Sequence, residues 1–422
     1  MYIMGCIIYL GGCTLDDPAP EPNAPALTLK YHQNLSLTDL SWSAVKVTGF
    51  KEYVILQSPE PIPDNPTPVV DQNVSVLVRI KDADVTTFAA SPSLISSQVC
   101  YKLYCSVDDR FLYSSSVCVD PETLLFAGFY DRACHENGMT EMALFDRNVR
   151  NLSVFDYHTG DLSLNQSASE ISFPSMELKT WINTTKLFVT EQSPGVMRAY
   201  AFPSLTPLTS RNFLQFLWCT RAEGPFVFAT TDESVRNFHV MNRNTLNDMD
   251  TEDGIFGNQY IAVFPGDTMT VLTLGQSLSK KYLVDGTGHI VSSELLQVLV
   301  SINDLQSTCA QGHQLFIGGR QGTVIDRNGD VLGVLTSLNN AVVQISRLTE
   351  DESHVVYLIN RNGQIFLEIA DLGQLPQITV TQSYQMPQLT YSDIILDGPV
   401  IYVMGTQFLS FPGESFVLKY PL

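Results

Sequence analysis

The stretch LFIGGRQGTVIDRNGDVLG, residues 315–333, decides how the chain folds. It contains two short apolar strands separated by a glycine-containing turn, and a second, tight turn follows at Asn328-Gly329. An Asn-Gly pair between apolar runs is a strong hairpin signal, because both residues tolerate the positive φ that tight hairpin turns need. The stretch therefore predicts short antiparallel strands, with Ile325 at the centre of the second one.

Similar stretches recur from about residue 123 onward. Each has an apolar centre on its second strand, and the seven centres are Phe155, Tyr200, Phe238, Leu283, Ile325, Phe366 and Leu409. The steps between successive centres are 45, 38, 45, 42, 41 and 43 residues. A four-stranded propeller blade takes about 40–50 residues, and blades stack around an axis because one sheet alone cannot bury both faces. We therefore predict an all-β fold with a β-propeller over residues 120–422. Seven blades are favoured, and six or eight are alternatives if one centre is misplaced.

Residues 27–119 contain another set of short alternating strands. LSWSAV, KEYVILQS and CYKLYCSV resemble the second, third and sixth strands of a fibronectin type III domain, with Trp42 in the core position. The resemblance implies an Ig-like sandwich of about seven strands. A proline-rich insertion, residues 59–68, interrupts the loop after the third strand. Such a fold assigns no activity by itself.

The last hairpin of this segment predicts a disulfide. A three-residue loop, residues 108–110, pairs Val107 with Phe111, and the same register sets Cys100 opposite Cys118. Directly opposed residues have Cβ atoms about 4.5–5.5 Å apart, which is near disulfide geometry. We therefore expect a Cys100–Cys118 bridge in an exported protein, and two buried free thiols are the alternative.

The N-terminal residues resemble the signal of a bacterial lipoprotein. Residues 3–10 are apolar but too few to span a bilayer, and LGGC, residues 10–13, resembles the lipobox that precedes an acylated cysteine. The resemblance implies a signal peptide over residues 1–12, lipidation at Cys13, and anchoring at the outer membrane or cell surface. Residues 1–5 lack the usual Lys or Arg. A start further upstream and an ordinary apolar strand are therefore alternatives.

Residues 13–26 are predicted to form the acylated cysteine and a tether. Asp16 and Asp17 resemble the acidic export signal of surface lipoproteins from Bacteroidetes-type bacteria, and a solvated tether explains them equally well. PAPEPNAP, residues 18–25, favours an extended polyproline II conformation. Together these features predict an anchor followed by a spacer.

The composition excludes several classes of partner. A hydrophobic fraction of 44% with 16% charged residues is typical of a folded protein. The formal net charge of −20 repels nucleic acid and anionic lipid, and the sequence contains no basic stripe. We expect no nucleic-acid partner, and membrane attachment only through the lipid anchor. The oligomeric state stays open.

Four residues are candidate ligand contacts. CHENGMTEM, residues 134–142, is an irregular insert in the first repeat that contains His135 and Glu136, and such inserts often form binding rims. His158 flanks the same repeat and could approach His135. Trp218 belongs to an aromatic segment, residues 211–224, that is either an exposed ledge suited to sugar rings or a buried strand.

One acidic segment has a faint metal signature. DMDTEDG, residues 248–254, resembles a calcium loop through Asp248, Asp250 and Glu252. Asp253 occupies the place of the loop glycine, and no glutamate closes the series, so an acidic solvated turn is the favoured interpretation. We predict no cofactor, with calcium at this segment as the weaker alternative.

The sequence contains no HExxH, GxSxG, CxxC or phosphate-binding motif. We therefore expect a surface or periplasm-facing lipoprotein that acts as a binding or scaffolding module, with a glycan or protein ligand at the propeller face. Enzymatic activity stays open, and a non-enzyme is favoured. The alternative is a polysaccharide lyase or hydrolase with its site at the axial mouth. Carboxylates, His or Tyr converging there with shifted pKa values would favour the enzyme.

Overall fold

The computed structural model describes residues 27–31, 38–90, 98–119, 124–127 and 129–422. Within the last range it leaves out residues 173, 256, 258, 277, 299, 302–303, 305–306, 339–340 and 408–413. Cys13, the predicted tether and the seventh repeat centre, Leu409, lie outside these residues. The chain divides into two compact units, one mainly before residue 120 and one mainly after it. Within the described ranges, no helix is long and apolar enough to cross a bilayer.

The N-terminal unit consists of short strands in two sheets. The strands are β1 Leu27–Tyr31, β2 Thr38–Trp42, β3 Phe50–Ser58, β4 Ser75–Ile80, β5 Thr87–Ala90, β6 Val99–Val107, β7 Arg110–Tyr113 and β8 Val117–Val119. One sheet has the order β1-β2-β5, and the other has the order β4-β3-β6-β7 with β8 paired to β6. The Trp42 ring is buried and lies 5.5 Å from the ring of Tyr53, so side chains of the two sheets pack together.

The proline-rich insertion is fixed by a buried lysine. Lys102 on β6 is fully buried, and its ammonium donates to the carbonyl oxygen of Pro63 at 3.0 Å and pairs with Asp64. A buried charge is costly unless it is paired and hydrogen-bonded. The insertion therefore supplies the partners that the lysine needs and lies against β6.

The structure joins Cys100 and Cys118 in a disulfide, although the predicted hairpin loop is wrong. Val107 pairs with Arg110 rather than with Phe111, so the loop has two residues, and Asp108 adopts a positive φ of 51°. The chain then shifts its register between β7 and β8, which restores Cys100 opposite Cys118. The two departures from the predicted register compensate each other.

The C-terminal unit is built from four-stranded antiparallel sheets, of which the described residues form seven. The strands of the first four sheets are β10 Tyr130–Cys134, β11 Glu141–Asp146, β12 Asn151–Asp156 and β13 Leu162–Ser167; β14 Pro174–Trp181, β15 Thr184–Glu191, β16 Val196–Ala201 and β17 Thr206–Asn212; β18 Leu217–Glu223, β19 Phe226–Thr231, β20 Phe238–Asn242 and β21 Asp248–Glu252; and β22 Tyr260–Phe264, β23 Met269–Leu274, β24 Ser279–Val284 and β25 Ile290–Leu296.

The other three sheets continue the series. Their strands are β26 Cys309–Gln311, β27 Gln314–Ile317, β28 Thr323–Asp326 and β29 Val331–Val334; β30 Val342–Leu348, β31 His354–Arg361, β32 Gln364–Asp371 and β33 Thr379–Met386; and β34 Thr390–Asp397, β35 Val400–Gln407, β36 Glu414–Pro421 and β9 Leu124–Ala127. A 3-10 turn, Thr336–Leu338, lies between β29 and β30. The last sheet takes its fourth strand, β9, from the start of the unit, and Ser415 pairs with Phe126.

The sheets close into a ring. The first strand of each sheet lies beside the first strand of the next, and β34 lies beside β10. A buried apolar cluster fills each contact between neighbouring sheets, including the contact of the last sheet with the first, where Phe155 packs with Tyr402 and Val417. The arrangement is a β-propeller, which confirms the prediction of an all-β fold with a propeller.

The repeat centres mark the third strand of their sheets. Phe155, Tyr200, Phe238, Leu283, Ile325 and Phe366 all lie on third strands. In three sheets, an Asp or Asn at the end of this strand accepts a hydrogen bond at 2.8 Å from the backbone N–H two residues later; these residues are Asp156, Asn242 and Asp326. Such Asx turns end a strand and reverse the chain, which explains the polar residues that follow these three centres.

Candidate functional site: the axial cavity

A cavity of about 940 Å³ lies where the seven first strands of the propeller meet. Residues of β10, β14, β18, β22, β26, β30 and β34 line it, together with the loops that leave several of these strands. Its volume is within the range of small-molecule binding sites, which is about 300–1,000 Å³. The ring of sheets therefore creates an axial site that no single sheet could form.

One residue from each first strand contributes to a set that we call the axial ring. Its members are Cys134, Glu177, Arg221, Tyr260, Cys309, Arg347 and Asp393. Six of them line the cavity, and Asp393 lies behind Arg347. Successive members are 38 to 49 residues apart, which is the blade period.

The first ion pair of the axial ring joins neighbouring sheets. Arg221 Nε lies 3.2 Å from Glu177 Oε1, and Glu177 Oε2 accepts a hydrogen bond from the Ala222 N–H at 2.7 Å. Burial raises the pKa of Glu177, and the positive charges of Arg221 and Lys179 oppose that increase. The pair thus holds a carboxylate and a guanidinium at the cavity wall in a fixed orientation.

The second ion pair lies on the other side of the axial ring. Arg347 donates from Nη2 to Asp393 Oδ1 and from Nη1 to the carbonyl oxygen of Ser346 at 2.8 Å. Burial raises the pKa of Asp393, and the Arg347 charge opposes the increase. The other carboxylate oxygen, Oδ2, is buried without a hydrogen-bond partner among the described residues.

Lys179 adds a third cation beside the first pair. Its ammonium lies 3.2 Å from Glu223 Oε2 and 3.7 Å from Glu136 Oε2. Glu136 also accepts a hydrogen bond from the Thr180 N–H at 3.3 Å. The predicted contact residue Glu136 is therefore part of the cavity wall and belongs to a charge network.

Three further members of the axial ring are weakly acidic groups. Burial raises the pKa of the Cys134 thiol, the Cys309 thiol and the Tyr260 phenol. Thiols react as thiolates, so both cysteines are poor nucleophiles in this setting. The three side chains line the cavity but present no charged group to a ligand.

The predicted histidines meet beside the cavity, which His135 lines and His158 does not. The Tyr157 ring centre lies 5.4 Å from that of His135 and 4.8 Å from that of His158. His158 Nε2 is 2.7 Å from Asp397 Oδ2, and Asp397 lines the cavity, as does His135. Burial lowers the pKa of His135. The structure thus brings both histidines together through Tyr157, with His158 at the edge.

Trp218 is not part of this group. It lies near the beginning of β18, three residues before Arg221, and does not line the cavity. It is half-buried, and its ring centre lies 4.6 Å from that of Phe216. The segment is therefore neither a fully exposed ledge nor a fully buried strand.

The predicted acidic turn is wrong, because Asp248, Asp250 and Glu252 lie on β21, the fourth strand of its sheet. Asp248 accepts hydrogen bonds from Arg211 Nη1 and Nη2 at 2.7 and 2.8 Å, and Glu252 Oε1 lies 2.8 Å from Lys280 Nζ. A register shift between Val240 and Met241 breaks the alternation of side chains along β21. Asp248 therefore pairs with a cation of the preceding sheet, whereas Glu252 pairs with one of the following sheet. Within the described part of the chain, no group of three or more His, Cys, Asp or Glu side chains could hold a metal ion.

Sequence reasoning missed the charged members of the axial ring. Glu177, Arg221, Arg347 and Asp393 are charged residues inside otherwise ordinary strands, and no local motif marks them. The sequence pattern that could have identified them is a polar residue that recurs with the blade period, at positions offset from the apolar centres. It is weak, because the four residues differ in charge and size.

Comparisons with known proteins give likeness in fold only. No protein-family model matches the chain, and no curated protein matches it significantly. Three solved structures are similar to it: the β-propeller domain of Cps50 (Swd1) from Myceliophteria thermophila, a mitotic checkpoint complex and hydrazine synthase of Kuenenia stuttgartiensis. Their identities are 10%, 11% and 12%, and their TM-scores are 0.48, 0.49 and 0.49. The matches cover 71%, 71% and 66% of this chain, and 99%, 91% and 92% of the solved chains.

Proposed function

We propose that this protein is a lipid-anchored binding module of the bacterial surface or periplasm, in which a seven-bladed propeller holds a glycan or protein ligand in its axial cavity. A fibronectin type III-like domain and the N-terminal tether act as the spacer from the membrane. The observation that carries the binding role is the cavity of about 940 Å³, with guanidinium, carboxylate, hydroxyl and amide groups on its wall. Such convergent polar groups in a concave site provide orientation and specificity.

The blade count and the spacer are supported by different observations. Each of the seven four-stranded sheets has one first strand at the cavity, so each sheet corresponds to one blade. The N-terminal unit has two sheets in which Trp42 packs on Tyr53, as expected for the core of a fibronectin-like sandwich. Neither the two-sheet arrangement nor the Trp42 contact implies a catalytic activity, so the N-terminal unit suits a spacer.

A screen of the purified protein on a glycan array, with the same glycans assayed for turnover, tests the binding role. Binding without turnover supports the module. Turnover would favour the second candidate, a propeller lyase or hydrolase with its site at the axial mouth. That candidate is favoured by Glu177, His135 and Tyr260, which line the cavity with pKa values shifted by burial.

Anchoring is tested separately. Cys13→Ser should release the protein from the membrane fraction and abolish incorporation of labelled fatty acid, because the acyl chains supply the membrane affinity. Cys6→Ser is the matched control, since it removes the other cysteine of the opening segment. If the Cys13 variant stays in the membrane fraction, the lipid anchor is wrong.

A further inference from the structure

The axial ring presents its arginines to the cavity more than its carboxylates. The Arg347 side chain is 42% exposed, whereas Asp393 is 1% exposed and does not line the cavity. The corresponding values for Arg221 and Glu177 are 32% and 14%. Each carboxylate therefore holds its arginine in place and leaves the guanidinium as the group that a ligand meets.

Both guanidinium groups retain hydrogen-bonding capacity. A guanidinium has five N–H donors. Arg221 uses Nε toward Glu177, and this contact leaves its two Nη groups unused. Arg347 uses one donor of each Nη. Several charge-assisted donors are therefore available at the cavity wall.

The two arginines line the same cavity from different first strands. They lie on β18 and β30, and Tyr260 and Cys309 occupy the two first strands between them. The positive charges of Arg221 and Arg347 both act on the Tyr260 phenol and on the Cys309 thiol. A ligand in this cavity is therefore exposed to both positive charges.

We propose that Arg221 and Arg347 bind the carboxylate of a uronic acid within an acidic oligosaccharide. The inference rests on the proposed function and names the ligand class of its site. Planar guanidinium forks match a carboxylate better than any neutral acceptor, and buried partners that fix the fork reduce the cost of binding.

The rest of the wall favours a sugar over a free anion or a peptide terminus. Hydroxyl and amide side chains surround the cavity, and they include Thr308, Gln311, Thr349, Thr381 and Gln382. Glu136 and Asp397 add acceptors for sugar hydroxyl groups. The acidic groups of the wall, within a protein of net charge −20, disfavour a ligand with several negative charges close together. One carboxylate among many hydroxyl groups satisfies both conditions.

Calorimetric titration of the full-length protein tests the ligand class. The probes are neutral oligosaccharides that each carry one galacturonic, glucuronic or mannuronic acid residue, the same compounds with that carboxyl group reduced to an alcohol, and peptides with a free or amidated carboxyl terminus. At least one uronate should bind, and its reduced form should bind at least tenfold more weakly. Equal binding of the reduced form, or binding of free-carboxyl peptides alone, overturns the inference. A neutral glycan that binds while every uronate fails overturns it as well, and leaves the proposed function standing. No binding of any glycan or protein contradicts both.

Paired variants test the residues without leaving a buried charge unpaired. Arg347→Gln with Asp393→Asn, and Arg221→Gln with Glu177→Gln, replace each ion pair with amides. Each should raise the Kd for the uronate at least tenfold while circular dichroism stays unchanged. Arg198→Gln with Glu191→Gln is the matched control, because this pair also combines a partly exposed arginine with a buried carboxylate and neither residue lines the cavity. Its Kd should stay within twofold of the wild type. Wild-type affinity in both cavity variants would contradict the assignment.

Discussion

The axial ring and strand β21 contain the same chemical groups in two different surroundings. On the first strands of the sheets, Asp393 is almost completely buried and pairs with Arg347. On the fourth strand of its sheet, Asp248 is 36% exposed and accepts two hydrogen bonds from Arg211. Burial raises the pKa of Asp393. Burial also raises the pKa of Asp248, but hydrogen bonds from His239 and Arg211 outweigh it and hold that pKa well below its usual range.

The difference between the Asp393 and Asp248 pairs indicates which ion pairs suit ligand binding. At the edge of a sheet, water and several donors already satisfy the carboxylate, so the pair gains little from a further partner. At the axis, desolvation leaves a carboxylate oxygen of Asp393 without a partner and directs donors of Arg347 into a cavity. The Arg347 donors that Asp393 does not use stay available to a ligand, because the buried carboxylate holds the guanidinium at the cavity wall.

The largest expected effect comes from breaking the axial pair. Arg347→Met should lower the free energy of unfolding by roughly 3 kcal/mol or more, because it leaves a buried carboxylate without its cation. Arg211→Met should cost at most about 1 kcal/mol, because its partner is partly solvated. Urea unfolding of both variants measures the difference. Adding Asp393→Asn to Arg347→Met should recover much of the loss. Equal losses for the two single variants would remove the distinction between axis and edge.

Much of the fold could be predicted from the sequence because it depends on local patterns. The third strands combine apolar side chains with a turn-forming residue at their end, so centres such as Phe155 and Ile325 recur with the blade period. The hairpin at Asn362-Gly363 follows from two residues that both adopt positive φ, 52° and 83°. These signals act within one sheet and need no knowledge of how the sheets are arranged.

The axial site could not be predicted in the same way. Its charged members come from sheets far apart in the sequence, and only closure of the ring brings Arg221 and Arg347 to one cavity. A single arginine in a strand has the same local pattern as one that faces solvent. The insert after Cys134 was a better guide, because His135 and Glu136 extend one first strand directly into the cavity wall.

A second measurement compares the pH dependence of the two carboxylates. The pKa of Asp248 is lower in the folded than in the unfolded protein, so its contribution is present above about pH 4 and is lost as the pH falls further. The pKa of Asp393 is higher in the folded protein, so its ionisation reduces stability as the pH rises above about 4. In urea unfolding between pH 3 and 7, Asp248→Asn should remove a stability loss in acid of roughly 1 kcal/mol, reduced by solvent screening. Asp393→Asn should remove a decrease in the free energy of unfolding that develops as the pH rises, which is a pH dependence of the opposite sign. Slopes of the same sign would contradict the assigned shifts.

The smallest expected effect concerns calcium at β21. Asp248 and Glu252 already take Arg211 and Lys280 as cations, and Asp250 lies 3.7 Å from His289, so a calcium ion would have to displace several partners. Ligands stabilise a folded protein only in proportion to their binding, so millimolar calcium should change the Tm by less than about 1 °C. Thermal unfolding in calcium and in chelator measures this difference, with Asp250→Asn as the variant that removes one carboxylate without breaking the two closer pairs. An increase of several degrees that disappears in Asp250→Asn would show that this edge strand binds metal, and that its carboxylates are less satisfied than the hydrogen bonds indicate.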